Sequence, residues 1–252
     1  NYKLQIITTP DNSHSSVTKL FNITVNRIDS SVNGGNIVFD YLSSGSAVLN
    51  VVGGSVASVN VVGYDNIATL DGNVVTVSGL DAGNYTLKVT TIPVDDNHAS
   101  VTHECIVTVN KIDSEVSFIP NEITFAYEDE GSTIATCTGC TIDEENVTIL
   151  NHPEANIVVD GNKITVSGLD EGEYTMSVIT TADSNHKSIE TTLKVTVSGI
   201  SPKMDMMVSN ITVGEKLNVY ITMDTEATGI VNITIFQGTE FIQSRNITIN
   251  NR

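Results

Sequence analysis

Three short runs set an acidic side chain beside a histidine: Asp11-Asn12-Ser13-His14, Asp96-Asn97-His98 and Asp183-Ser184-Asn185-His186. Carboxylate and imidazole are ordinary ligands for a divalent metal. The same residue types also build turns, because Asp and Asn side chains bond their own backbone at loop tips. Turn formation accounts for all three runs, and no metal ligand is assigned. A second chemical candidate is Cys137-Thr138-Gly139-Cys140. A structural zinc wants four ligands and only this pair is near, while a redox pair favours a helix N-terminus, which these β-branched surroundings do not offer. Cys137 and Cys140 are therefore expected to be a local disulfide or two free thiols. Cys105 aligns with Phe21 and Leu193 of other repeats and is expected to be a buried apolar substitute.

Six Asn-x-Thr sequons stand at Asn22, Asn84, Asn146, Asn210, Asn232 and Asn246, about the number that the composition gives by chance. All six are possible glycosylation sites in a secreted protein, and Asn22, Asn84, Asn232 and Asn246 each adjoin an inward apolar residue, so they face outward. No Gly-x-Ser-x-Gly, nucleophile with matching His, paired-carboxylate cleft or phosphate loop stands out. No catalytic or cofactor-binding residue is assigned, and no cofactor is expected. Lys3, Lys88, Lys163 and Lys216 are out of phase with the core residues, so no Lys-to-Asn crosslink is expected either.

The elements that hold these residues come from a chain of 252 residues with 30 acidic and 12 basic side chains, a net charge of -18, and neither a Trp nor many aromatics. That charge supplies no footprint for nucleic acid or an anionic membrane, both of which reward clustered Lys and Arg. No apolar run approaches the roughly 20 residues of a membrane span, so no membrane insertion is expected in this segment.

One stretch occurs three times, from Asn1, Asn84 and Glu173, with Tyr2, Tyr85 and Tyr174 spaced by 83 and 89 residues. Val25-Asn26-Arg27-Ile28-Asp29-Ser30 recurs as Val109-Asn110-Lys111-Ile112-Asp113-Ser114. Within a repeat, Tyr85, Leu87 and Val89 alternate with Thr86, Lys88 and Thr90, the period of a half-buried strand. Thr- and Val-rich runs broken by Asp-Gly and Gly-Gly suit short strands and turns. Strands are predicted near Ile37 to Tyr41, Ala47 to Val52, Val56 to Val62, Ile67 to Leu70, Val74 to Ser78, Tyr85 to Thr91 and Val101 to Val109. The fold class is all-β, with tandem immunoglobulin-like β-sandwich repeats in an extended rod. Residues 1-27 read as the last two strands of an incomplete domain, 28-111 and 112-199 as complete domains, and 200-252 as the early strands of another, stopping at a hairpin-like Asn250-Asn251. The chain reads as a window on a longer array. Head-to-tail completion of the last piece by the first piece of an identical subunit is the competing arrangement.

In GLDAGNYTLKV and GLDEGEYTMSV, a Tyr two residues after an Asp-x-Gly corner opens a strand, which resembles the tyrosine corner of immunoglobulin-like sandwiches. Tyr2, Tyr85 and Tyr174 are the structural corner residues, and Tyr41 and Tyr127 recur at a second core position. The G-L-D-x-G-x-Y-x-[LM] corner, the D-x-[SN]-H turn and the V-G-E-K-L start of the last piece resemble the immunoglobulin-like repeats of archaeal, especially methanogen, adhesin-like surface proteins. That resemblance implies a secreted, extracellular location and a non-enzymatic stalk or filament element of the cell surface, whose partners are neighbouring repeats or identical subunits. The alternative is an adhesin whose sandwiches themselves bind a receptor or glycan.

Overall fold

A computed structural model describes residues 1–223 and 228–250. Between Ser31 and Asn110 the β-branched runs form two four-stranded sheets. One is ordered Ser31–Gly34, Ser44–Val52, Val74–Ser78, Ala68–Asp71, and the other Ile37–Asp40, Thr102–Asn110, Gly83–Pro93, Gly54–Val61. This is the A-B-E-D and A′-G-F-C arrangement of an immunoglobulin-like sandwich. Its pairs are antiparallel except for the parallel match of Ile37–Asp40 with Thr102–Asn110. The second copy repeats the order with Glu115–Ile119, Glu130–Thr138, Lys163–Ser167, Asn156–Asp160 facing Glu122–Ala126, Glu190–Ser198, Gly172–Ile179, Val147–Ile149.

Alternation along each strand fills one core per sandwich. Leu49, Val61, Val75, Val77, Leu87, Val89 and Val107 are sealed from solvent in the first, and Ile123, Ile164, Val166, Met176, Val178 and Val195 in the second. Fully burying each such side chain contributes about 1.5–3 kcal/mol. Gly45 lets the Ile37–Asp40 strand lie close, since an added Cβ would run into Ile37 and Phe39; Gly131 meets Ile123 and Phe125 in the same way.

The sequence reading missed the short Ser31–Gly34 strand. Its burial pattern shows Val32 as the one buried residue, too few to display a period. Outside the two sandwiches, Tyr2–Ile7 and Thr18–Ile23 form a hairpin that, among the described residues, pairs only with itself. Leu4, Ile6, Phe21 and Ile23 are exposed there, although their counterparts Leu87, Val89, Cys105 and Val107 are core residues. Tyr2, expected at a core position, is likewise 66% exposed, because no second sheet among the described residues packs over the hairpin. After Gly199, Met204–Val208 pairs with Val219–Met223, and Thr228–Gln237 pairs with Glu240–Asn250. The hairpin turn of the last pair is at Gly238-Thr239, not at Asn250-Asn251; Asn250 is a strand residue, and Asn251 lies outside the described residues.

Candidate functional site

Each sandwich has two poles, and the chain enters at one and leaves at the other. In the first, Ile28 and Ser30 bond the turn carbonyls of Asn97 and Ala99. At the far end of that hairpin, the Asn110 carbonyl accepts from the Tyr41 amide at 2.9 Å. The register Gly83↔Val109 to Thr90↔Thr102 separates the two ends by the length of the hairpin. The second sandwich uses Ile112 with Asn185, Ser114 with Lys187, and Tyr127 with Ser198.

The leaving pole carries the corner. The Tyr85 hydroxyl donates to the Asp81 carbonyl, and the Tyr174 hydroxyl donates to the Asp170 carbonyl, each at 2.8 Å. Both rings are half-buried, and each meets an aromatic edge-on: Tyr64 at 5.3 Å from Tyr85, and His152 at 4.8 Å from Tyr174. Desolvation, followed by nearby Tyr64 and Asp81, pushes the Tyr85 phenol above its usual range.

The entering pole carries the histidine turn. In the second sandwich, Asp183 Oδ1 accepts from the Asn185 and His186 backbone amides at 2.8 and 3.0 Å, and pairs with His186 Nδ1 at 2.7 Å. In the first, Asp95 Oδ1 accepts from the Asn97 amide at 2.9 Å and pairs with His98 Nδ1 at 2.7 Å, while the His98 amide donates to the Asp95 carbonyl at 3.4 Å. The acid is thus Asp95, three residues before the histidine, and not Asp96, whose carboxylate instead lies 3.9 Å from Arg27. Asp11 and His14 repeat the pairing in the N-terminal hairpin. His hydrogen bonds first, then backbone amides, hold the Asp95 and Asp183 carboxyls below their ordinary value; at Asp11 the Ser13 amide leads. Among the described residues, no group of three or more His, Cys, Asp or Glu side chains is placed to hold a metal.

Under the histidine lies a glycine. Gly139 has φ +72°, and an added Cβ would enter the His186 ring; Gly53, with φ +75°, stands in the same relation to His98. The Gly139 carbonyl accepts from Ser114 Oγ at 3.2 Å and the Asp183 amide at 3.1 Å, while Gly53 receives Ser30 Oγ and the Val94 amide. Cys137 and Cys140 flank Gly139 and are joined as a disulfide, with Cα atoms 5.6 Å apart. The first sandwich makes the equivalent turn with Val51-Val52-Gly53-Gly54 and no disulfide. Cys105 is a buried free thiol whose Sγ points at the Gly34 carbonyl, and burial pushes it up.

Sequence reasoning missed the meeting of the two poles. Asn185 Nδ2 donates to Asp81 Oδ1 at 3.0 Å, and Asn185 Oδ1 accepts from the Ala82 amide at 2.8 Å, so the second sandwich's turn grips the first sandwich's corner. The His186 ring stands edge-on to Tyr41 at 5.6 Å and is only 7% exposed, and Lys111 Nζ reaches the Asp183 carbonyl at 3.4 Å. The signal available in the sequence was co-occurrence of the turn and the corner in each repeat, which does not say that they touch.

The sequons scatter over the surface. Asn22, Asn84, Asn210, Asn232 and Asn246 are exposed, whereas Asn146 is half-buried and donates to Thr181 Oγ1 at 3.1 Å. Asn84 accepts from Thr108, and Asn232 and Asn246 face each other across one strand pair, 2.7 Å apart.

Strand order, cores and corners together define tandem immunoglobulin-like sandwiches. No protein-family model matches the chain, and no curated protein matches it in sequence. Among solved structures, it is similar to surface layer protein SbsC, domains 1-6, at 12% identity and a TM-score of 0.30, covering 99% of this chain and 44% of that one. It is similar to the I9-I11 tandem from titin at 10% identity and a TM-score of 0.29, covering 88% and 90%. A third is the fibronectin(III)-like modules of Clostridium thermocellum CbhA, at 16% identity and a TM-score of 0.24, covering 68% and 94%.

Proposed function

We propose that this chain is a non-enzymatic, extracellular structural element of a cell surface, a stalk or filament segment built from immunoglobulin-like repeats. One observation carries the reading. Consecutive sandwiches are threaded pole to pole, and repeat-equivalent surfaces meet at their junction through Asn185, Asp81 and Ala82. A chain so arranged sets one domain beyond the next, as a spacer requires. The Cys137–Cys140 disulfide suits an oxidising compartment outside the cytosol, and five exposed sequons suit glycosylation there. Its partners are neighbouring repeats of the same array, or identical subunits head to tail. Labelling intact source cells with an antibody against the 28–199 sandwiches, combined with limited surface proteolysis, tests the location. Surface signal lost on proteolysis is expected, and label appearing only after lysis would remove the stalk reading. Binding of the full chain to a glycan or host surface would move the function to the adhesin alternative.

A further inference from the structure

We propose that the Asp-x-Asn-His turn is an inter-repeat docking element whose ligand is the Asp-x-Gly-x-Tyr corner of the sandwich before it. The angle between consecutive sandwiches is then specified by side chains at the two poles. The inference rests on the spacer reading and supplies its stiffness.

The contacts divide the work among few residues. Asn185 uses both ends of its amide, donating to a carboxylate and accepting from a backbone amide of the same corner. Such a two-point contact resists rotation about either bond alone. Asp81 receives it in a fixed position, because the Tyr85 hydroxyl holds the Asp81 carbonyl. On the other side, Asn185 is oriented by Asp183, and the turn rests on Gly139, which has no Cβ to displace His186. His186 fills the space against Tyr41 and seals the edge of the contact. Corner tyrosine and turn histidine, each a local device, become one network across the junction.

The same logic distinguishes the other poles. Asn97 stands where Asn185 stands, on a turn whose Asp95 carboxylate likewise accepts from the asparagine amide and pairs with the histidine ring, so the entering pole of the first sandwich is shaped for another Asp-x-Gly-x-Tyr corner. The Asp11–His14 turn has Ser13 at the gripping position, and a hydroxyl cannot reproduce the amide's paired donor and acceptor. At the leaving pole of the second sandwich, Asp170 and Glu171 present the corner, but residues 200–252 contain no His and therefore no such turn. The junction between 28–111 and 112–199 is the stiff one, and that after Gly199 is not held in this way.

The test uses the full chain carrying spin labels at exposed sites. Thr69→Cys with Lys163→Cys spans the gripped junction, and Lys163→Cys with Ser209→Cys spans the next. Pulsed dipolar spectroscopy should give a narrow distance distribution for the first pair and one at least twofold wider for the second. Asn185→Ala should widen the first distribution at least twofold, while thermal melting shows the sandwiches folded. Asn185→Asp, which sets a second carboxylate against Asp81, should widen it further at low salt. Asn97→Ala, the same exchange at the pole facing away, should leave it unchanged. An unchanged width in both Asn185 variants, or equal widening by Asn97→Ala, overturns the proposal. Neither outcome bears on where the protein resides, so a failure here is separable from a failure of the spacer reading.

Discussion

At the scale of the residue, single polar groups hold the two poles, and each can be removed alone. Tyr85 and Tyr174 each satisfy a corner carbonyl, and Tyr2, at the equivalent position, has no such partner among the described residues. Tyr85→Phe and Tyr174→Phe should each lower the stability of their own sandwich by about 1 kcal/mol, the net value of one hydrogen bond, whereas Tyr2→Phe should do nothing. Hydrogen exchange across a urea series resolves the sandwiches separately; equal effects at all three tyrosines would show the corners to be structurally idle. The Asp–His turns also carry a pH dependence. His186 and backbone amides depress the Asp183 carboxyl, as His98 does Asp95. A depressed carboxyl contributes stability that is complete above its unfolded value of 3.8 and is lost as pH falls through the lower folded value. The turns should therefore hold at neutral pH and loosen only below about pH 4. Amide exchange at Asn185 and Asn97 followed downward in pH checks this, and Asp183→Asn should abolish the dependence at its own turn. Loosening between pH 7 and 5 would contradict it.

At the scale of the element, the two sandwiches run a controlled comparison on one another. Val51-Val52-Gly53-Gly54 and Cys137-Thr138-Gly139-Cys140 make equivalent turns under equivalent histidines, one stapled and one not. The first sandwich thus reaches the same turn without a disulfide, and the one in the second closes only a short loop. Replacing the pair by the first sandwich's residues, Cys137→Val with Cys140→Gly, should leave the second sandwich folded and lower its stability by no more than about 2 kcal/mol. Calorimetry should show its transition moved down and that of the first sandwich unmoved; an unfolded second sandwich would mean that the staple makes the turn. The glycines at the start of Ser44–Val52 and Glu130–Thr138 make an opposite case. A methyl at Gly45 or Gly131 enters space held by Ile37 and Phe39 or by Ile123 and Phe125. Gly45→Ala should cost about 1–3 kcal/mol by overpacking, more than a strand gains from replacing glycine, and a stabilised variant would show that the two sheets can part.

At the scale of the whole molecule, charge and junctions act together. With a net charge of -18, neighbouring copies repel, and the repulsion reaches about 10 Å at 0.1 M salt. Lateral association should be suppressed at low salt. Solution scattering at low and high salt should give an elongated particle in both, changing mainly through the junction after Gly199, which lacks the Asn185 grip. A globular particle at both salts would remove the extended rod. The apolar face of the N-terminal hairpin, with Leu4, Ile6, Phe21 and Ile23, is exposed, and no sheet among the described residues covers it. The proposed partners, neighbouring repeats or identical subunits, would cover this face, and the intact mass of the native protein separates the two: far more than 26.9 kDa plus glycans indicates a longer covalent array.

What the sequence determined by itself was local. Alternation in Tyr85, Leu87 and Val89 marks a strand because successive side chains point to opposite faces. Asp-x-Gly-x-Tyr marks a corner because its hydrogen bond spans four residues. The period follows from copies of such signals, and with it the sandwich class. Everything that depended on residues far apart in the chain was decided by the tertiary structure. The parallel seat of Ile37–Asp40 beside Thr102–Asn110 has no local signature, since it is a pairing 70 residues apart. Asp95 rather than Asp96 serves His98, because only the residue three back reaches round the turn. Tyr2 carries the motif's letter but is exposed, since burial is a property of what packs over a face and not of the strand bearing it. Asn185 reads as a turn former in sequence and becomes a grip only because threading from pole to pole brings Asp81, 104 residues earlier, within 3.0 Å.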